Sequence, residues 1–422
     1  MSSRADRARR GASEHEGASR PDVPGEVNRT RIVLQHILAS SPLTIVFAVL
    51  AALLVSAVLI AATSAEVAAA LPYVARRPLD LVVAVRDSVG GAYGALFRGA
   101  VFNSRQDGLA AQLKPLTESM SFATPLIMAG LGVALAFRAG LFNIGGRGQM
   151  LIGAACAGWV GFTFELPMAI HLPLALLAGI AGGALWGGLV GFLKARTGAS
   201  EVILTIMLNY VAFYLVSYGL RTVLRNPESN NPKSPPIHES AELFPLLGSG
   251  YSLHVGFLVA VAAAFGCWWL IERSSLGFQF RAVGLNPHAS HAAGMRIGRL
   301  YTWAMVLAGG LIGLAGANQA LGISHAGFGS GIDAGIGFEA ITVALLGRSR
   351  PWGVLAAGLL FGAFKAGGYS MQASQGIPVD IVLVVQSLIV LFIAAPALIR
   401  GLLRIPAPGT LVGASNGQGG AA

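Results

Sequence analysis

The chain has 422 residues, 54% of them hydrophobic and only 11% charged, with a mean hydropathy of +0.66. These values exclude an ordinary soluble protein and describe a chain that crosses a membrane several times. The net charge of +10 does not argue for nucleic acid, because the 29 basic residues are scattered between apolar runs, where Lys and Arg act as topology markers.

Residues 1–40 are rich in Arg, Glu, Ser and Gly and are expected to form a disordered tail. A bilayer core of about 30 Å requires roughly 20 apolar residues per helix. On that ruler an all-α membrane domain over 41–400 is expected to hold about ten segments, followed by a flexible tail at 401–422. In chain order the segments are 43–63, 121–140, 144–164, 169–192, 201–218, 252–271, 300–321, 338–346, 352–368 and 379–399. The eighth is too short to cross alone, so it is a half-helix or part of a broken pair with the ninth, divided between Gly347 and Pro351. Within the long connection 64–117, residues 95–102 read as a helix lying along the outer interface.

With both termini cytoplasmic, the basic residues fall mainly in inside loops: Arg138 and Arg147, Lys194 and Arg196, Arg273 to Arg299, Arg348 and Arg350, then Arg400 and Arg404. Glycines 179, 183, 187 and 191 share one helix face and predict contact with another helix's backbone, as do Gly309 with Gly313 and Gly358 with Gly362. Cys156 and Cys267 each sit in an apolar run and read as small hydrophobes, without a disulfide or metal site.

None of Lys114, Lys194, Lys233 and Lys365 ends a phosphate-cradling GxxxxGK loop, and no HExxH or GxSxG motif occurs. The chain is therefore expected to hydrolyse no ATP, to catalyse nothing itself and to need no cofactor. Its chemistry rests on polar residues inside apolar segments, each of which needs a partner or a wet cavity. Asn209, central in the fifth segment, offers a donor and an acceptor to a passing substrate, and Tyr210 a flat face on which a base can stack. Tyr214 and Tyr218 on the same stripe suit an aromatic belt. Asn143 and Gln149 flank Gly145, Gly146 and Gly148, and either touch substrate or tie two helices together. Asn318, Glu339 and Lys365 fall toward the outer half, where Glu339 and Lys365 can pair as a structural tie or as part of the pathway.

The loop 273–299 carries a helix signature: Asn286 suits the N-cap, Pro287 the first turn and Gly294 the position after the last turn. A short helix held in a long loop is a docking surface. The string RAVGLNPHASHAAGM (281–295) resembles the coupling loop of ABC importer permeases related to the ribose and branched-chain amino acid systems. ALAFRAGLFNIGGRGQMLIGA (134–154), EVILTIMLNYVAFYLVSYGL (201–220) and GFEAITVALLGRSRPWGVLAAGLLFGA (337–363) are similar to the nucleoside-importer branch. The sequence departs from that pattern at Arg147, at Glu339-Ala340 and near Ser290-His291.

The resemblance implies a multi-pass permease of the bacterial inner membrane, working by alternating access with a second permease, a cytoplasmic ATPase and an extracytoplasmic lipoprotein receptor for nucleosides. Its coupling loop holds the candidates for ATPase coupling, Arg281, Asn286, Pro287 and Gly294, while the polar residues read above, Asn143, Gln149, Asn209, Tyr210, Asn318, Glu339 and Lys365, are the candidates for the substrate pathway. A ribose-like sugar or branched-chain amino acid permease is the nearest alternative. A secondary transporter would need ion-coupling carboxylates near the midplane and inverted repeats.

Overall fold

The computed structural model describes residues 41–248 and 250–394, so the expected tails at 1–40 and 401–422 lie outside the described residues. The described residues are all-α, with no strand beyond one isolated bridge between Pro245 and His254. The helices are α1 Ser41–Thr63, α2 Ala65–Ala70, α3 Pro78–Ala100, α4 Leu109–Arg138, α5 Gly146–Thr163, α6 Met168–Thr197 and α7 Glu201–Gly219. They continue as α8 Gly256–Arg273, α9 Ser275–Leu285, α10 Pro287–Ala292, α11 Ile297–Asn318, α12 Ile336–Leu346, α13 Pro351–Gln375 and α14 Asp380–Ala394.

Six helices are long and apolar enough to cross a membrane: α4, α6, α7, α8, α11 with its continuation to Ile323, and α13. A seventh span is reached if Val49–Thr63 and Ala65–Tyr73, bent by 61°, count as one. The expectation of about ten spans is thus not met by length and composition, and the three remaining segments show why. Helix α5 opens on Gly146-Arg-Gly-Gln149, which dilutes its hydropathy, while α12 and α14 are described over only 11 and 15 residues. The segment 338–346 does end where expected: Arg348 and Ser349 carry φ of 53° and 50°, breaking the helix before Pro351 starts α13.

The connection 64–117 differs from expectation. Residues 95–100 form the end of α3, a 23-residue helix begun by Pro78. That end packs into the bundle, with Ala92, Ala95 and Ala100 buried and Gly99 3.2 Å, at its would-be Cβ, from the Gly367 Cα of α13. Small side chains permit this close approach, and it replaces the interfacial position.

The expected glycine stripe forms the centre of the bundle. A Cβ on Gly183 would stand 2.6 Å from the Gly313 Cα, and one on Gly191 2.8 Å from the Thr302 Cα, so α6 and α11 run antiparallel with backbones touching. Helix α5 joins them, since a Cβ on Gly153 would lie 2.5 Å from the same Gly313 Cα. Gly358 and Gly362 likewise seat α13 on α4 at Ile127 and Ala123. Lipid provides no hydrophobic drive between helices, so this proximity is what holds them together. Gly183→Val is expected to cost more than the ~1–3 kcal/mol typical of overpacking, because backbone rather than a flexible side chain would have to move. Gly266→Val, on an exposed face of α8 with open space around it, is expected to be silent. The yield of monodisperse protein after detergent extraction distinguishes the two.

Candidate functional site

Two helix N-termini meet inside the bundle. Helices α5 and α12 begin at Gly146 and Ile336, and a Cβ on Gly146 would lie 2.6 Å from the Gly337 carbonyl oxygen. A Cβ on Gly337 would collide with the Arg147 backbone, so the approach requires glycine on both sides. The level of this crossing is set by Asn209, the ninth residue of the 19 in α7.

Side-chain amides meet some of the backbone groups around the start of α5, where a helix leaves its first N–H groups unpaired. Asn209 Oδ1 accepts from the Gly148 N–H at 2.8 Å, and its Nδ2 donates to the Ile144 carbonyl at 3.0 Å. Asn143 Nδ2 donates to Gln149 Oε1 at 3.1 Å, Gln149 Nε2 donates back to Asn143 Oδ1 at 3.3 Å, and Asn143 Oδ1 also accepts from the Gly145 N–H at 3.0 Å. The structure therefore brings Asn143, Gln149 and Asn209 together as a brace around the start of α5. Tyr210 stands apart. It is 57% exposed on the outer face of α7, in line with the still more exposed Tyr214 and Tyr218.

Arg147, counted with the inside-loop cations from its sequence position, lies at the crossing instead. Its Nε is 3.4 Å from Asp333 Oδ1 and its guanidinium stands 5.0 Å from the Phe213 ring centroid. Asp333 escapes the sequence reading; the signal for it is a carboxylate in a loop without a basic neighbour, which needs a partner from elsewhere in the chain. The next turn is tight, with Asp333 Oδ2 accepting from the Gly335 N–H at 3.3 Å and φ of 45° and 79° at Ala334 and Gly335.

Glu339 on α12 and Lys365 on α13 do meet across the hairpin made by the break, with Lys365 Nζ donating to both carboxylate oxygens at 3.1 and 3.0 Å. Asn318 is fully buried at the end of α11, away from the amide brace, packed beside His254 and Gly256.

The loop 273–299 contains two helices rather than one. Helix α9 turns off α8 at Ser274, whose hydroxyl accepts from the Gly277 N–H at 3.0 Å, and α10 follows at Asn286. Asn286 Oδ1 caps α10 by accepting from the Ala289 N–H at 3.0 Å, with Pro287 in the first turn. Gly294 at φ 83° closes it: the Gly294 N–H reaches the His291 carbonyl at 2.9 Å and the Met295 N–H the Ser290 carbonyl at 3.0 Å. This is the paired C-terminal closure that a left-handed glycine permits. Arg281 is turned inward, donating to the Ile271 carbonyl and, at 3.4 Å, to Glu272. The solvent side is formed by Leu285, which is 88% exposed, with the exposed Asn286, His288, His291 and Gly294.

A contact path runs from this loop to the helix break. A Cβ on Gly140, in the turn after α4, would lie 3.0 Å from the Gly284 Cα of α9, and Arg138 Nε donates to the Ser349 carbonyl at 2.8 Å. The loop 273–299, the end of α4 and the break between α12 and α13 are thus in contact.

Residues 116–394 match the family model described as the permease component of branched-chain amino acid transport systems. The chain is 42% identical to the guanosine ABC transporter permease of Bacillus subtilis over 317 residues, covering 74% of this chain and 88% of that protein. It is 38% identical to the glucose ABC transporter permease of Haloferax volcanii, over 66% of this chain and 75% of that one. With the nucleoside ABC transporter permease of Lactococcus lactis the identity is 33%, over 74% and 85% respectively. Both bacteria also hold a second similar permease with the same substrate in its name. No solved structure matches the chain. The chain therefore belongs to this permease family of ABC transporters and is a multi-pass membrane subunit that transports rather than catalyses.

Proposed function

We propose that the chain forms half of the translocation pathway of a nucleoside importer in the bacterial inner membrane. The observation that carries this reading is the 42% identity to a guanosine permease over 88% of that protein's length. A cytoplasmic ATPase docks on α9–α10, a second permease completes the pathway, and an extracytoplasmic lipoprotein delivers substrate. Two permeases from each of two bacteria resemble the chain, which supports a heterodimer. In this reading both termini are cytoplasmic, and α5, α12 and α14 bring the membrane segments to about ten.

Geometry supports the mechanism. Two helix starts that converge midway along α7 direct their N–H groups and positive dipole ends toward the interior. Movement at the docking loop is transmitted through Gly284, Gly140 and Arg138 to Ser349, so ATPase closure tilts the α12–α13 hairpin. A single chain exposes Tyr210; pairing with the second permease would turn such a face into a pathway wall.

The double variant Asn286→Ala, Gly294→Val removes an N-cap worth about 0.5–2 kcal/mol and forces valine to φ 83°. It is expected to assemble, because these positions are exposed, yet to lose transport. Normal uptake by this variant would remove the loop from coupling. The 38% identity to a glucose permease supports a second reading, a monosaccharide importer. Uptake of radiolabelled guanosine and of glucose by cells producing the whole transporter separates the two: guanosine import competed by other nucleosides supports the first, glucose import alone the second.

A further inference from the structure

A cavity of about 370 Å³ opens between the first half of α4, the connection from α7 to α8, and the turn that follows α11. Its size falls within the roughly 300–1,000 Å³ usual for small-molecule sites. His254 lines it, is 4% exposed, and has no hydrogen-bond partner for either ring nitrogen among the described residues. Behind it both polar atoms of the fully buried Asn318 and the Oε1 of Gln319 are also unpartnered among the described residues. Native interiors rarely leave such groups unsatisfied. The backbone here departs from α-helix as well: Gln319–Ile323 is a π-helical turn that brings Gly322 against the His254 ring, its would-be Cβ 2.8 Å from Nε2. Such turns concentrate at functional sites.

The lining specifies the ligand chemistry. Glu118 and Glu242 provide carboxylates, Phe122 and Tyr251 aromatic faces, and no Lys or Arg lines the cavity. Carboxylates accept hydrogen bonds from vicinal hydroxyls, aromatic rings take a base face, and a neutral imidazole nitrogen can donate or accept one hydrogen bond. Burial holds the His254 pKa down at about 4, so the ring is neutral at physiological pH. A phosphate here would face two carboxylates with no Lys or Arg in the lining, where His325 is the second histidine.

We infer that this cavity is a binding site for an uncharged nucleoside on the receptor-facing side of the permease, and that it rejects nucleotides. The inference rests on the nucleoside reading and deepens it by placing a substrate site within one chain, apart from the α5–α12 crossing.

The test is photolabelling of the complete transporter in membranes with 8-azidoguanosine, followed by peptide mapping. Label is expected on the peptides around Glu242–His254 and Leu321–His325, protected by guanosine and unprotected by guanosine 5′-monophosphate. Ser252→Trp, at an exposed rim position, is expected to lower this labelling about tenfold at unchanged chain abundance. Glu242→Gln, which changes charge and little shape, is expected to weaken guanosine protection by a similar factor. Unprotected label, label elsewhere, or labelling indifferent to Ser252→Trp would overturn the site and leave the buried polar atoms to water. If the wild-type transporter imports guanosine while the label maps elsewhere, only this site falls; if it imports glucose and no nucleoside, the underlying reading falls.

Discussion

Asn209→Leu is expected to destabilise the full chain by at least about 1–3 kcal/mol, because it strands one buried backbone group and removes the partner of a second, half-buried one. The groups are the Gly148 N–H and the Ile144 carbonyl, which the amide alone reaches from α7. The leucine itself is at home in an apolar helix, so the loss comes from the start of α5 rather than from α7. Asn209→Asp keeps an acceptor for Gly148 and is expected to recover part of the stability. Tyr210→Ala, on the exposed face, is expected to leave it unchanged. Thermal unfolding of the detergent-solubilised chain measures all three. A fall in uptake with Tyr210→Ala at unchanged stability would place that ring on the pathway, and normal stability of Asn209→Leu would contradict the bracing role.

Removing one partner of the Glu339–Lys365 pair is expected to be damaging as well. Both side chains are only about 15% exposed, at 15% and 14%, so a lone charge would remain in a poorly solvated site. Breaking a buried pair costs about 3–5 kcal/mol, whereas replacing both members with neutral groups of similar shape is often close to neutral. Lys365→Met alone should therefore lower the yield of folded chain sharply, and Glu339→Gln with Lys365→Met should restore most of it. If the double variant is folded yet imports nothing, the pair belongs to the pathway as well as to the hairpin. If Lys365→Met alone is harmless, the pair holds nothing together.

What the sequence made legible follows from signals that repeat. Hydropathy located α4, α6, α7, α8, α11 and α13, because each is a long apolar run. The four-residue spacing of Gly179 to Gly191 announced a helix contact, and the local chemistry of Asn286, Pro287 and Gly294 announced α10. Less legible was anything decided by a distant partner. Arg147 reads as a loop cation until Asp333 and Phe213, more than 60 residues away, are placed beside it. Helix α3 carries Arg86, Asp87 and Arg98 among its apolar residues, so only its small face against α13 reveals that it packs inside the bundle. Asn143, Gln149 and Asn209 were identifiable as buried amides, but their hydrogen bonds to one another and to the start of α5 depend on tertiary approach. His254 gave no signal at all, since one histidine beside a helix start resembles any other.

Under the proposed function, nucleoside transport by this subunit is driven by ATP hydrolysed on another chain. This is tested most directly by reconstituting the purified chain with its second permease, ATPase and receptor in proteoliposomes and following radiolabelled guanosine. Accumulation that requires ATP on the ATPase side, is competed by other nucleosides and is indifferent to glucose is the predicted result. Accumulation driven by an ion gradient without ATP, or transport of glucose with no guanosine uptake, would contradict it.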